Sequence, residues 1–149
     1  MATIHDFAAL LGQEHGLVVV GTNRADGSTQ ASVVNAGVMD HPVTGVLSAA
    51  LVAQGGSTKL AHLRRDPRAT LTARAGWQWA TVEGRAELIG PDDMPDTFSP
   101  EQLPALLREV FKAAGGTHDD WDEYDRVMAE ERRCAVFVSP DRVYSNRAG

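Results

Sequence analysis

The chain is expected to be mainly β, an antiparallel sheet or small barrel with a few helices at its periphery. Short β-branched runs recur along it, separated by turns rich in Gly, Pro, Asn and Asp. One run, Trp77 to Ile89, is long enough to cross a whole sheet and stops at Gly90-Pro91. Helical spacing is confined to the first sixteen residues, a short stretch after Ser57 and a late pair within 99–132. Strand runs joined by turns favour an antiparallel arrangement over a parallel α/β one, and a small barrel removes its own edges.

Ile4, Phe7, Leu10 and Leu11 recur at helical spacing, and Gly16 is the expected C-cap of a short helix lidding one end of the sheet. Leu17–Thr22 and Gln30–Val34 flank Asn23-Arg24-Ala25-Asp26-Gly27, which predicts a hairpin through an Asp-Gly turn. Met39-Asp40-His41-Pro42 is expected as a second turn, with His41 a turn residue, and Val46–Val52 as the third strand. A helix then carries Leu60 and Leu63 on one side and stops near Asp66-Pro67, because a proline disfavours a helical predecessor. Arg68–Ala73 predicts a strand, Ala75-Gly76 a turn, and Trp77–Ile89 the fifth strand before an acidic, proline-rich loop. Gln102–Ala114 and Trp121–Arg132 predict a helical hairpin inserted over 99–132, with Gly115-Gly116 between its arms. Ala135–Val138 and Arg142–Tyr144, separated by Ser139-Pro140-Asp141, are expected to close the fold as a pair of strands.

At 149 residues the chain is expected to form one domain over 1–149. A net charge of −6 and a pI near 5.3 argue against nucleic acid or an anionic membrane as partner, since both require a basic face. The N-terminus shows no basic segment followed by an apolar one, and no apolar run approaches bilayer length, so the protein is expected to be soluble and cytoplasmic. Cys134 stands alone among Ala135, Val136, Phe137 and Val138 and is expected to be a buried, inert thiol. The five histidines lie far apart without ligand spacing, so no metal is expected.

Chemistry concentrates at Gln54-Gly55-Gly56-Ser57-Thr58-Lys59, between a strand and a helix. Two glycines let backbone approach a ligand, Ser57 can cap the helix, and the free N–H groups of its first turn point outward beside an ammonium. A phosphate is the natural occupant, though the pattern also fits an ordinary loop-to-helix junction. It is no Walker loop, and the chain holds no G-x-G-x-x-G. Of 14 basic residues only Lys59 and Lys112 are lysines. On the long strand Trp77 and Trp79 flank Gln78 and could wall a planar ring; they suit a core or a dimer interface equally well.

Gly55-Gly56-Ser57-Thr58-Lys59-Leu60, then Arg65-Asp66-Pro67-Arg68, then Trp79-Ala80-Thr81-Val82-Glu83-Gly84-Arg85-Ala86-Glu87, resembles in order and spacing the pyridoxamine 5′-phosphate oxidase-like superfamily. Within it, Gly-Gly-Ser-x-Lys and Trp-x-x-x-Glu-Gly-Arg-Ala resemble the flavin/deazaflavin oxidoreductases of the B group, among them the coenzyme F420-dependent biliverdin reductase type. The resemblance implies a six- to seven-stranded antiparallel split β-barrel (the FMN-binding split barrel), and a homodimer with a cofactor in each interfacial groove. It implies reduced coenzyme F420 as hydride donor to an unsaturated acceptor such as a biliverdin-like tetrapyrrole or a quinone.

In that scheme Lys59, with Gly55, Gly56 and Ser57, meets the cofactor phosphate. Ser32, Val34, Asn35 and Ser48 border the ring, and Trp77, Gln78 and Trp79 wall it, in one chain or across the dimer. The strand Ser28–Val38 lacks the basic pair with which true pyridoxamine phosphate oxidases hold flavin mononucleotide (FMN). FMN is therefore the alternative cofactor, and a non-catalytic carrier of F420 or haem, with His62 as the haem candidate, is the other class.

Overall fold

The computed structural model describes residues 1–147. Helix α1 (Ile4–Leu11) starts at a capping box: Thr3 accepts from the His5 N–H, and Asp6 accepts from the Thr3 N–H at 2.8 Å. It ends at Gly12, before the expected Gly16. Gly16 instead takes the positive φ that returns the chain to the sheet, and its N–H donates to the Leu11 carbonyl. Ile4, Phe7, Leu10 and Leu11 all enter the core, so α1 plugs the barrel as its periodicity requires.

Seven strands follow: β1 (Leu17–Asn23), β2 (Thr29–Asn35), β3 (Gly37–Asp40), β4 (Leu47–Ala53), β5 (Arg68–Ala75), β6 (Gln78–Ile89) and β7 (Cys134–Ser145). They form one antiparallel sheet in the order β2-β1-β5-β6-β7-β4-β3. The sheet curls into a split barrel: its two edge strands, β2 and β3, are successive in the chain, joined through buried Ala36, whose N–H donates to the Gly16 carbonyl.

Alternation along β1 and β5 decides which side chains fill the barrel. Val18, Val20, Ala69, Leu71 and Ala73 point inward with Leu51, Val82 and Val136. Helix α2 (Thr58–Arg65) supplies Leu60 and Leu63 to the same core. A second apolar layer lies outside β4 and β7, where Ala50, Ala135 and Phe137 meet Leu106, Leu107 and Val110 of α3 (Leu103–Ala113) and Tyr124 of α4 (Trp121–Glu130). The helical hairpin thus covers one outer face of the barrel.

Four expectations are corrected. Residues 28–38 are not one strand but two, broken at Ala36, so six strands precede the acidic loop. Met39 and Asp40 belong to β3, and the turn spans 41–46; there His41 Nδ1 accepts from the Val43 and Thr44 N–H groups at 3.1 Å each. Trp77 lies in the turn with Gly76 rather than in β6, because Ala75 pairs with Gln78 and leaves two residues at the tip. The closing pair of strands is a single strand, β7. Its Pro140 is accommodated by a register shift opposite Glu83/Gly84, and Gly84 has no room for a side chain, since a Cβ there would lie 1.9 Å from the Ser139 carbonyl oxygen.

Candidate functional site

The loop after β4 is held from behind. The Gly55 N–H donates to the Glu131 carbonyl at 3.0 Å, and a Cβ on Gly55 would lie 2.5 Å from the Arg132 carbonyl oxygen. Gly55 therefore serves close packing against the α4–β7 turn, and its amide is not free for a ligand. The Ser57 N–H donates to the Gln54 carbonyl and its hydroxyl caps α2 by accepting from the Leu60 N–H, so Ser57 shapes the cradle rather than lending its amide.

What remains open is Gly56, at φ +77° with open space around it, and the first turn of α2. Among the described residues the N–H groups of Gly56, Thr58 and Lys59 have no backbone or side-chain acceptor. The Lys59 ammonium is half-buried. Burial pulls its pKa below the ordinary lysine value, and among the described residues no carboxylate pairs with it. Lys112, by contrast, lies 3.7 Å from a Glu109 carboxylate oxygen and over the Trp121 ring. A partly desolvated lysine in the first turn of a helix whose N-terminal N–H groups are unpaired suits an anion.

A cleft of about 450 Å³ opens between β2, β4 and the helical hairpin. Val34, Asn35 and Val52 form its sheet side, and Phe111, Tyr124 and Met128 its helical side, with Arg133 at the margin. Arg133 belongs to the turn whose Glu131 carbonyl holds Gly55, so cleft and cradle share one support. The sequence-expected residues Val34 and Asn35 line this cleft; Ser32 does not line it, and shares the face of β2 that carries Val34. Asn35 Nδ2 donates to the His15 carbonyl at 2.8 Å, which aims the side chain and leaves Oδ1 unused.

Ser48 does not border an open groove. It is 1% exposed, its hydroxyl donates to the Val46 carbonyl, and it shares a face of β4 with Ala50 beneath α3. Trp77, Gln78 and Trp79 sit at the far tip of the β5–β6 hairpin from α2, which packs beside the Arg68 end of β5 through Asp66. Asn146 fixes that tip, accepting from the Trp79 N–H at 2.9 Å and donating to the Trp77 carbonyl at 2.7 Å. Trp79 meets Tyr144 edge-on, whereas Trp77 is 95% exposed. One chain does not bring this group to Lys59.

His62 is buried with Nδ1 2.9 Å from the Thr22 hydroxyl, which removes it as a haem ligand in an open groove. Glu83 meets Tyr144 OH and lies 3.9 Å from Arg142. Cys134 is buried as expected. The helical side of the cleft escaped sequence reasoning, because Phe111, Tyr124 and Met128 recur as any amphipathic hairpin does. The one local signal was Gly115-Gly116 directly after an aromatic helix end.

Residues 4–115 match the pyridoxamine 5′-phosphate oxidase family, and the chain belongs to it. The family is largely one of oxidoreductases and binds flavins or deazaflavins. Among solved structures the chain is similar to the conserved hypothetical protein Rv2991 of Mycobacterium tuberculosis (TM-score 0.68, 20% identity, covering 97% of this chain and 84% of that one). It is similar to an F420 reductase (TM-score 0.61, 13% identity, 93% and 95% covered). A heme binding protein from Mycobacterium smegmatis is a third (TM-score 0.61, 16% identity, 97% and 54% covered). At these identities the likeness is one of fold. No helix among the described residues is long and apolar enough to cross a membrane.

Proposed function

We propose that the protein is an oxidoreductase that holds reduced coenzyme F420 and that it works as a homodimer. The observation that carries the reading is that Lys59 is half-buried and unpaired among the described residues and belongs to the helix start at which the N–H groups of Gly56, Thr58 and Lys59 are open. These groups fit a phosphate, which F420 and FMN both carry. The absence of any basic residue on β2 favours the deazaflavin over FMN.

When bound, reduced F420 supplies a hydride to an unsaturated organic acceptor. The chain itself binds and orients. Lys59 and the cradle N–H groups neutralise the phosphate, and Val34, Asn35 and Ser32 border the ring at the cleft mouth. Trp77, Gln78 and Trp79 reach the site of the partner protomer, where an exposed tryptophan at a hairpin tip finds the cover it lacks in one chain. The apolar walls of the cleft exclude water, and a proton comes from solvent. The structural likeness to an F420 reductase supports this reading at the level of fold.

The test is a fluorescence titration of cofactor-free protein with F420 and, separately, with FMN, in wild type and Lys59→Ala. Micromolar or tighter F420 binding, weakened in the variant by about 1.5–3 kcal/mol, the worth of a hydrogen bond to a charged group, supports the proposal. An unchanged dissociation constant removes Lys59 from the site. Preference for FMN moves the protein to the flavin branch, and binding of neither leaves a carrier of another ligand.

A further inference from the structure

The turn behind the cradle is built on a residue that the backbone there does not favour. Helix α4 ends on a left-handed stop: the Arg133 N–H donates to the Met128 carbonyl at 3.0 Å, and the Arg132 N–H to the Ala129 carbonyl at 3.2 Å. Arg132 takes the left-handed position, at φ +50°, where glycine is the usual residue and any side chain adds a steric cost. Its guanidinium grips Asp92 twice, Nε donating to Oδ2 at 3.1 Å and Nη2 to Oδ1. Asp92 lies in a tight loop closed by Gly90 and Asp93, whose backbone N–H and carbonyl groups bond to each other. Asp93 in turn accepts from Arg64 Nε at 2.9 Å and from Arg64 Nη2 at 2.6 Å, and Arg64 belongs to α2. The loop 90–93 therefore ties the α4–β7 turn to the helix that carries Lys59, while the Glu131 carbonyl of that same turn holds the Gly55 N–H.

We infer that Arg132 is a positioning residue of the cradle: through Asp92 it holds the turn that supports Gly55, and so sets where the N–H groups of Gly56, Thr58 and Lys59 meet an anion. Ending the helix does not account for an arginine at this position. Glycine would end α4 with less strain, and an exposed ion pair adds little to stability. What glycine could not supply is the fixed link to Asp92, and through the 90–93 loop to α2. The inference rests on the anion-cradle reading above and adds to it a residue that acts through the backbone of another segment.

The experiment compares wild type, Arg132→Gly, Asp92→Asn and the double variant by thermal melting, by hydrogen exchange of the Gly55 amide in the ligand-free protein, and by titration with F420 and with inorganic phosphate. Arg132→Gly is expected to melt no lower than wild type, because relief of the left-handed residue offsets the lost ion pair, yet to exchange the Gly55 amide faster and to bind both probes about fivefold more weakly. Stability and binding then part company, which a merely structural arginine would not bring about. Asp92→Asn is expected to show the same faster exchange and weaker binding, and the double variant no further loss, as for two members of one link. Unchanged Gly55 exchange in Arg132→Gly, a fall in melting that accompanies the loss of binding, or additive losses in the double variant overturns the proposal. Wild type that binds while Arg132→Gly binds equally well overturns the proposal alone. Wild type that binds neither probe overturns the cradle reading and the proposal with it, so the two failures are told apart.

Discussion

Burial acts on Lys59 and Cys134 in opposite senses. It lowers the lysine pKa because the charged form is the protonated one, and raises the thiol to about 12 because the charged form is the thiolate. The consequence for Cys134 can be measured. Below the ordinary thiol range both the folded and the unfolded chain keep the proton, and the stability contribution is fully present. Above about pH 8.5 the unfolded chain ionises while the folded one does not, so stability falls as pH rises toward 12 at about 1.4 kcal/mol per unit. Urea midpoints at about pH 8 and about pH 10 should drop more in wild type than in Cys134→Ala. A thiol reagent should label Cys134 only on unfolding, whereas equal slopes and ready labelling would show an accessible thiol. Gly55 makes a second prediction at this scale. Gly55→Ala places a Cβ against the Arg132 carbonyl, and a loss of about 1–3 kcal/mol in thermal unfolding is expected, as for other overpacked sites.

Elements were legible where local chemistry and the fold agree. The helix α1 periodicity, the Ser57 cap, the Asp66-Pro67 stop and the Asp26-Gly27 hairpin each stand as expected, because each is set within a few residues of itself. The Ser57 cap of α2 also fixes the cradle, so Ser57→Ala should cost about 1 kcal/mol of stability and weaken anion binding together; a stability loss alone would separate the cap from the site. Elements were misjudged where a distant strand decides. Ala36 breaks one expected strand into two because the barrel must turn there, and Pro140 does not break β7 because a bulge in β7 opposite Glu83 and Gly84 of β6 accommodates it. Neither partner lies near in sequence. The helical hairpin was found, but not that it covers β4, and this is why Ser48, a groove residue by strand position, is buried.

At the scale of the whole molecule, one outer face of the barrel is open over β2 and β1. Register aligns Val33, Val19, Thr72, Thr81 and Tyr144 in a row across five strands. Val33 is 64% and Val19 46% exposed, and the Thr72 and Thr81 hydroxyls, 2.8 Å apart, satisfy each other. Such a row, with Trp77 at its margin, is the face on which the proposed homodimer would close. Val33→Glu should shift sedimentation from dimer to monomer and, because the Trp77–Trp79 wall then leaves the site, weaken cofactor binding. A variant that stays dimeric places the interface elsewhere.

The sequence by itself determined the mainly β class, the peripheral helices, the family motifs and the position of Lys59 at a capped helix start. These depend on side-chain alternation, turn chemistry and spacing within short windows. Only the tertiary structure decided that Gly55 is spent on packing and that Lys59 has no carboxylate beside it among the described residues. It also decided that Val34 and Asn35 share a cleft with Phe111, Tyr124, Met128 and Arg133, and that the tryptophan tip lies away from the cradle of its own chain. These facts come from contacts between residues far apart in the chain, which the curl of the sheet brings together or holds apart and which no local pattern encodes.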